Sequence, residues 1–126
     1  INGGDGDDRI IAGGGTDILF GDGGADTFTF ASVNDSGMTG ATRDRIFDFD
    51  QAEGDVVFLA SIDANDNVGG NQVFSYIAGA SFSSTAGELR YTSSGMIEGD
   101  TDGDGSADFQ ILLTTAPTLT VDAFVL

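Results

Sequence analysis

The sequence predicts an all-β fold in which a right-handed parallel β-roll continues into an antiparallel, β-sandwich-like part. Two observations lead to this prediction. A nine-residue repeat of glycine and aspartate opens the chain, and the rest alternates apolar and polar residues without a sustained helical period. The predicted roll spans residues 1–35 and the second part spans residues 36–126, as one continuous structural unit within the 126 residues.

The repeat becomes visible when the first residues are aligned in nines, with units that begin at Gly3, Ala12 and Gly21. Each unit has an apolar residue at its eighth position and an aspartate at its sixth. This is the pattern G-G-x-G-x-D-x-U-x of parallel β-helices that bind Ca²⁺. Such regular placement argues against a flexible Gly/Asp linker. The three sixth-position residues are Asp8, Asp17 and Asp26.

The chemistry of the repeat suits a hard cation. Glycines can adopt positive φ and turn several carbonyls in one direction, and the aspartate adds a carboxylate; Ca²⁺ prefers these oxygen ligands. Two repeats make one turn of about 18 residues, so loops 3–8 and 21–26 should stack on one edge with Ca²⁺ between them. Loop 12–17 should lie on the other edge, with a partner either upstream of Ile1 or within residues 30–35.

The beginning of the chain predicts that it is a fragment. It starts in mid-repeat without an initiator methionine, and a roll of this type needs about three or more repeats. We therefore expect an N-terminal catalytic or effector domain in the parent chain.

The composition excludes several function classes. The chain has 21 acidic residues, of which 18 are aspartate, against four arginines and no lysine, for a net charge of −17. This charge should repel nucleic acid and anionic lipid, and no apolar run is long enough to cross a membrane. The absence of histidine and cysteine excludes Ser-His-Asp and Cys-His catalysis and the usual zinc sites. We predict a monomeric chain without a catalytic centre.

A second calcium signature lies at residues 100–108. Read as an EF-hand-like loop, it has Gly105 at the turn, but Ile111 replaces the bidentate Glu and no helix flanks it. The alternative is a hairpin turn, because Asp-Gly occurs twice between two predicted strands. Four carboxylates within nine residues would repel one another in a bare turn, which favours a metal. The predicted ligands are Asp100, Asp102, Asp104, the carbonyl of Ser106, and Asp108.

A third acidic group comprises Asp44, Asp48, Asp50 and Asp55. Asp48 and Asp55 could approach each other across a turn at 51–54 and close the end of the roll, and we count both as metal-ligand candidates. The alternative, that these residues form the solvent face of alternating strands, stays open.

The region after the repeats predicts further strands and at most a short helical turn near Leu59–Asp63. Arg43 and Arg45 are interpreted as local counter-charges. The predicted strands are Asp44–Phe49, Asp55–Leu59, Gln72–Ala78, Glu88–Thr92, Met96–Glu98, Asp108–Leu113 and Thr118–Leu126.

Several separate motifs carry a family resemblance along almost the whole chain. The nonapeptides followed by residues 25–32 resemble the RTX (repeats-in-toxin) β-roll of secreted bacterial proteins. Residues 43–49, 85–91, 99–109 and 118–126 resemble the C-terminal domain of serralysin-type metallopeptidases. Val57 departs from the pattern, since such domains carry Ile-Asp-Leu there. The four apolar residues after Asp122, where about three are usual, make the terminal signal similar rather than identical.

The resemblance implies that the first four loop positions of each repeat bind several Ca²⁺ ions through their carbonyls, together with the sixth-position aspartate. These residues are Gly3, Gly4, Asp5 and Gly6 with Asp8, then Ala12, Gly13, Gly14 and Gly15 with Asp17, and Gly21, Asp22, Gly23 and Gly24 with Asp26.

The predicted function is that of a calcium-binding C-terminal module of a secreted, extracellular bacterial protein. It would fold on binding Ca²⁺ outside the cell and carry a signal read by a type I secretion apparatus. The alternative is a calcium-dependent polysaccharide-binding module of a carbohydrate-active enzyme or adhesin. The sequence offers this alternative little support, because it shows no aromatic platform and its aspartates would repel uronates.

Overall fold

A computed structural model describes residues 1–126, which form ten short β-strands in two sheets and one 3₁₀ helix, Val121–Ala123. It contains no helix with the length and apolar character needed to span a membrane. The strands are β1 (Arg9–Ile11), β2 (Ile18–Leu19), β3 (Thr27–Thr29), β4 (Asp44–Ile46), β5 (Val56–Phe58), β6 (Ser75–Tyr76), β7 (Glu88–Tyr91), β8 (Met96–Asp100), β9 (Phe109–Leu113) and β10 (Phe124–Val125).

The first sheet has the order β1-β3-β5-β10, and all of its pairs are parallel. Successive coils of the chain therefore lie on one another. Their register aligns Ile10 with Phe28, Phe28 with Val57, and Val57 with Phe124. All four side chains are buried, because alternate residues of a strand point to the same face and these four face inward. The predicted β-roll is confirmed.

The second sheet has the order β2-β4-β9-β8-β7-β6. Strands β2, β4 and β9 pair in parallel and stack Leu19, Ile46 and Leu113 in a second buried column. Antiparallel pairing is confined to β7, β8 and β9, and β6 is parallel to β7. The all-β prediction is confirmed, and parallel pairing extends further along the chain than the repeats do.

Both sheets run across the predicted boundary between residues 35 and 36. β5 and β10 extend the sheet that contains β1 and β3, while β4 and β9 extend the sheet that contains β2. A single cluster of 19 buried apolar residues lies between the sheets. The repeats and the later strands therefore share one core.

Two predicted strands are much shorter in the structure. Of Gln72–Ala78 only Ser75–Tyr76 is a strand, since the Asp63 carboxylate accepts the Gln72 N–H at 3.1 Å. Of Thr118–Leu126 only Phe124–Val125 is a strand. In the segment before it, the Gln51 side-chain amide accepts the Thr120 N–H through its oxygen and donates to the Thr120 hydroxyl through its nitrogen. These side-chain hydrogen bonds replace strand pairing at Thr120.

The predicted helical turn at residues 59–63 is a simple turn. The N–H of Ile62 donates to the carbonyl of Leu59 at 2.9 Å, and no helix follows. Both side chains are buried. The turn therefore serves to return the chain to the core.

Candidate calcium-binding sites

Loops 3–8 and 21–26 stack in register, as the 18-residue spacing predicts. The Gly4 N–H donates to the Gly21 carbonyl at 3.2 Å, and the Gly6 N–H donates to the Gly23 carbonyl at 2.7 Å. Gly24 has a φ of 134°, and a Cβ there would collide with the Gly6 carbonyl. The close approach of the two loops therefore requires glycine at this position.

Aspartate side chains connect successive coils along this edge. Asp26 Oδ1 accepts the Asp8 N–H at 2.9 Å, and Asp55 Oδ1 accepts the Asp26 N–H at 2.9 Å. The second carboxylate oxygens of Asp8 and Asp26 are buried and have no hydrogen-bond donor. A buried, ionised oxygen without a donor or a cation is costly, so this arrangement calls for a positive partner.

The unpartnered oxygens lie over the first glycine of their own loop. A Cβ on Gly3 would lie 2.9 Å from Asp8 Oδ2, and a Cβ on Gly21 would collide with Asp26 Oδ2. Each carboxylate therefore folds back over its loop in space that only glycine leaves open. Carboxylate and nearby carbonyl oxygens are the donor set of Ca²⁺, so the residues present fit this ion.

The opposite edge repeats this arrangement with a partner that the sequence analysis placed wrongly. Asp44 Oδ1 accepts the Asp17 N–H at 2.7 Å, and Thr16 donates to the Ala41 carbonyl at 3.2 Å. Loop 12–17 therefore packs on residues 36–44, and not on residues 30–35. The reason is a turn after β3, where the Asp35 carboxylate accepts the N–H groups of residues 31 and 32 and lengthens this coil.

Asp44 is a candidate ligand to which sequence reasoning gave too little weight. Its Oδ2 and that of Asp17 are buried and unpartnered, like those of Asp8 and Asp26 on the first edge. A local signal existed, because Asp44-Arg45-Ile46 repeats the tripeptide Asp8-Arg9-Ile10 at the junction of loop and strand. The fixed period of 18 concealed it, since Asp44 follows Asp17 by 27 residues.

Asp48 and Asp55 lie on the first edge, on either side of the turn at 51–54. Asp48 accepts the N–H groups of Gly21 and Asp22 at 3.0 and 2.9 Å. Asp55 accepts those of Asp26 and Asp50 at 2.9 and 2.8 Å. Each carboxylate oxygen of Asp48 and Asp55 therefore has a backbone donor. Metal binding by either residue stays a prediction.

The loop between β8 and β9 is both a hairpin connection and an acidic cluster. Carboxylate oxygens of Asp100, Asp102 and Asp108 lie within 4.8 Å of one another. Asp100 is fully buried and accepts the N–H groups of Gly103 and Gly105 at 2.6 and 2.9 Å.

The predicted ligand Asp104 lies outside the cluster, and binding through the Ser106 carbonyl stays a prediction. The side chain of Asp104 is exposed, and its Oδ1 accepts the Ser106 N–H at 2.7 Å. Residues 65–67 pack against the loop, and sequence reasoning did not place them there. The hydroxyl of Thr101 lies 2.9 Å from carboxylate oxygens of both Asp66 and Asp108.

The electrostatics of the edges reflect crowded negative charge. The pKa of Asp44 is raised to about 6, chiefly by burial; the hydrogen bond from the Asp17 N–H lowers it in part, and the charges of Asp17 and Asp35 add to the increase. Burial also raises the pKa of Asp55, assisted by the charges of Asp26 and Asp48. A bound cation would offset both burial and the neighbouring negative charges, and would therefore lower the pKa of both carboxylates.

The arginines do not neutralise these loops, so their interpretation as counter-charges is wrong. Arg43 donates to the Met96 sulfur and the Met38 carbonyl, both at 3.5 Å, and Arg45 donates to the Gly40 carbonyl. The one ion pair within 4.0 Å joins Arg90 to Glu98. No basic side chain therefore pairs with the carboxylates of either edge.

One known protein family matches almost the whole chain. Residues 2–125 match the family model described as Peptidase M10 serralysin C terminal. The chain belongs to the serralysin C-terminal family. These domains are extracellular, non-catalytic β-roll modules that bind calcium.

No curated protein matches this serralysin C-terminal chain. Among solved structures, it resembles the solution structure of the AlgE6R3 subunit of the Azotobacter vinelandii mannuronan C5-epimerase, with 20% identity and a TM-score of 0.44. That alignment covers 96% of this chain and 78% of the other, and it is a distant likeness.

Gly21→Ala should weaken Ca²⁺ binding by tenfold or more, because the added Cβ occupies the space of Asp26 Oδ2. Gly23→Ala is the matched control, since a Cβ there meets nothing within 4 Å and its φ is not in the left-handed region. Isothermal titration calorimetry with Ca²⁺ measures both variants. Equal affinities for the two would contradict the proposed position of the ion.

Acidification of the metal-stripped protein from pH 7 to pH 5 should favour folding. The folded-state pKa of Asp44 is about 6 against an ordinary 3.8, so the folded chain binds this proton more tightly. Stability therefore rises as the pH falls through 6, by about 1.4 kcal/mol between pH 7 and pH 5 for this group. Circular dichroism at pH 7, 6 and 5 measures it, with Asp44→Asn flattening the response. A loss of β-sheet signal on acidification would contradict the assignment.

Proposed function

We propose that this chain is the calcium-binding C-terminal module of a secreted bacterial protein, that it folds when it binds Ca²⁺ outside the cell, and that it carries a type I secretion signal. The observation that supports calcium binding most directly is a set of buried carboxylate oxygens without donors on the two edges of the roll. They belong to Asp8, Asp17, Asp26 and Asp44.

Three groups of residues would hold the ions. On the first edge, the loops 3–8 and 21–26 would do so through their carbonyls and the free oxygens of Asp8 and Asp26. On the second edge, Asp17 and Asp44 would serve, with the carbonyls of residues 12–15. In the hairpin loop the ligands would come from Asp100, Asp102 and Asp108. Bound Ca²⁺ would supply the positive charge that no side chain supplies at either edge of the roll.

Calcium binding and folding would be coupled because few interactions stabilise the metal-free roll. Its strands are two or three residues long, and its loops stack aspartate on aspartate. The 20 glycines also lose more backbone entropy on folding than other residues. Extracellular modules bind Ca²⁺ with a Kd of about 10⁻⁴–10⁻³ M, which separates a calcium-poor cytosol from a calcium-rich exterior. The binding energy then becomes folding energy.

The proposed C-terminal secretion signal is consistent with the burial of the last residues in the folded module. Ala123 and Phe124 are buried, and β10 pairs with β5 as the last strand of the first sheet. An export apparatus could read these residues only before the module folds. A cytosol low in calcium would keep the signal accessible, and calcium outside would then bury it.

Addition of millimolar Ca²⁺ to the metal-stripped chain should produce a cooperative gain of β-sheet circular dichroism. Asp26→Asn should shift the midpoint to at least tenfold higher Ca²⁺, because it weakens a ligand of the stacked loops. Asp122→Asn is the control, since it removes the same charge from an exposed side chain without hydrogen bonds.

Two results of this titration would count against the proposal. A spectrum already folded in excess chelator and indifferent to Ca²⁺ would contradict the coupling of folding to the metal. Equal shifts for Asp26→Asn and Asp122→Asn would show that net charge, and not the site, determines the response.

Deletion of residues 118–126 should abolish export of a reporter fused ahead of the chain in a bacterium with a type I apparatus. Val57→Ala is the control, because it weakens packing beneath Phe124 while the terminal segment stays intact. We expect that variant to be exported at the wild-type level, as measured by reporter in the culture medium. Export of the deleted chain would contradict a signal in this segment.

A further inference from the structure

A cleft of about 330 Å³ opens beside the edge strand β6, on residues that neither the repeats nor the hairpin loop use. Three segments form its walls: the end of β6, the end of β7 with the turn that follows, and the segment before the 3₁₀ helix. The lining residues that matter here are Tyr76, Tyr91, Ser93, Pro117 and Thr118.

The cleft is held open by hydrogen bonds between its walls. Tyr91 joins all three, since its N–H donates to the Ala78 carbonyl at 2.9 Å and its hydroxyl donates to the Pro117 carbonyl at 2.7 Å. The ring of Tyr76 lies against the buried Phe124, with centroids 5.1 Å apart. Both aromatic rings therefore have fixed positions, and a ligand would not have to order them.

The cleft presents hydroxyl groups that have no protein partner. The side-chain oxygens of Tyr76, Ser93 and Thr118 make no hydrogen bond within the chain. Burial raises the pKa of both tyrosines above its usual value, so both remain neutral hydroxyls under physiological conditions. Each free hydroxyl can donate and accept a hydrogen bond.

The cleft carries no charged side chain, although the chain has 25 charged residues and a net charge of −17. An anionic ligand would gain no ion pair here and would approach against the field of the whole protein. A cation would be drawn to the carboxylate loops instead. The cleft therefore suits a neutral ligand with an apolar face for the tyrosines and several hydroxyls for the polar groups.

We infer that this cleft binds a neutral sugar ring of an oligosaccharide, with the ring face on the tyrosines and its hydroxyls on Tyr76, Ser93 and Thr118. No aromatic platform is visible in the sequence, where Tyr76 and Tyr91 are far apart. Parallel pairing of β6 with β7 brings the two residues to one end of the sheet. Binding here does not involve the carboxylates of the roll.

The test is a titration of ¹⁵N-labelled, calcium-loaded protein followed by amide chemical shifts. The probes are maltose, cellobiose, glucuronate and the apolar amide N-acetyl-leucyl-proline amide. We expect saturable shifts at residues 91–93 and 116–119 with one of the neutral disaccharides, and a Kd in the millimolar range. Glucuronate and the apolar amide should bind at least tenfold more weakly.

Variants distinguish the cleft from other surfaces. Tyr76→Phe keeps the ring against Phe124 and removes the free hydroxyl, and Thr118→Ala removes a second one; each should weaken disaccharide binding about fivefold. Thr115→Ala removes an exposed hydroxyl outside the cleft and should change nothing. The inference is overturned if neither disaccharide shifts these amides at 50 mM, if glucuronate or the apolar amide binds as well, or if Thr115→Ala has the same effect as Thr118→Ala.

Discussion

The hydrogen bond from a backbone N–H of one coil to an aspartate carboxylate of the next holds the edges of this roll together. Asp8, Asp26 and Asp55 form such a series on one edge, and Asp17 and Asp44 form it on the other. One oxygen of the carboxylate is used in each bond. For Asp26 and Asp44 the other oxygen is buried with nothing to neutralise it. The same side chain thus fixes the spacing of the coils and creates the demand for a cation.

The strands could not provide this stability themselves. Three-residue strands form few ladder bonds, and each buries a single apolar side chain such as Phe28 or Val57. Burial of such a side chain contributes roughly 1.5–3 kcal/mol, which is close to the backbone entropy lost by one or two ordered residues. The balance therefore depends on the loops, where ordering the backbone also brings the candidate ligands together. This explains why the buried apolar columns and the aspartate series have the same register.

Sequence reasoning could predict those parts of the fold in which the period of nine is strict. The inward residues Ile10, Leu19 and Phe28, and the stacking of loops 3–8 and 21–26, follow from the repeat alone. The hydrogen bond between Asp17 and Asp44 does not follow from the repeat. A turn fixed by Asp35 adds nine residues to the coil, while the Asp-x-apolar junction of loop and strand is kept. Insertions in solvent-exposed turns cost little free energy, so the register of the core survives where the count along the chain does not.

The end of the chain is connected to the same series of aspartates. Asp55 accepts the Asp26 N–H and leads directly into β5, which pairs with β3 on one side and with β10 on the other. Anything that orders Asp26 and Asp55 therefore also presents β5 as the template for Phe124 and Val125. A cation bound at the first edge would act on the terminal residues through one strand of three residues. In this architecture, a cation at the first edge would favour burial of the C-terminal segment, because both depend on the ordering of a single coil.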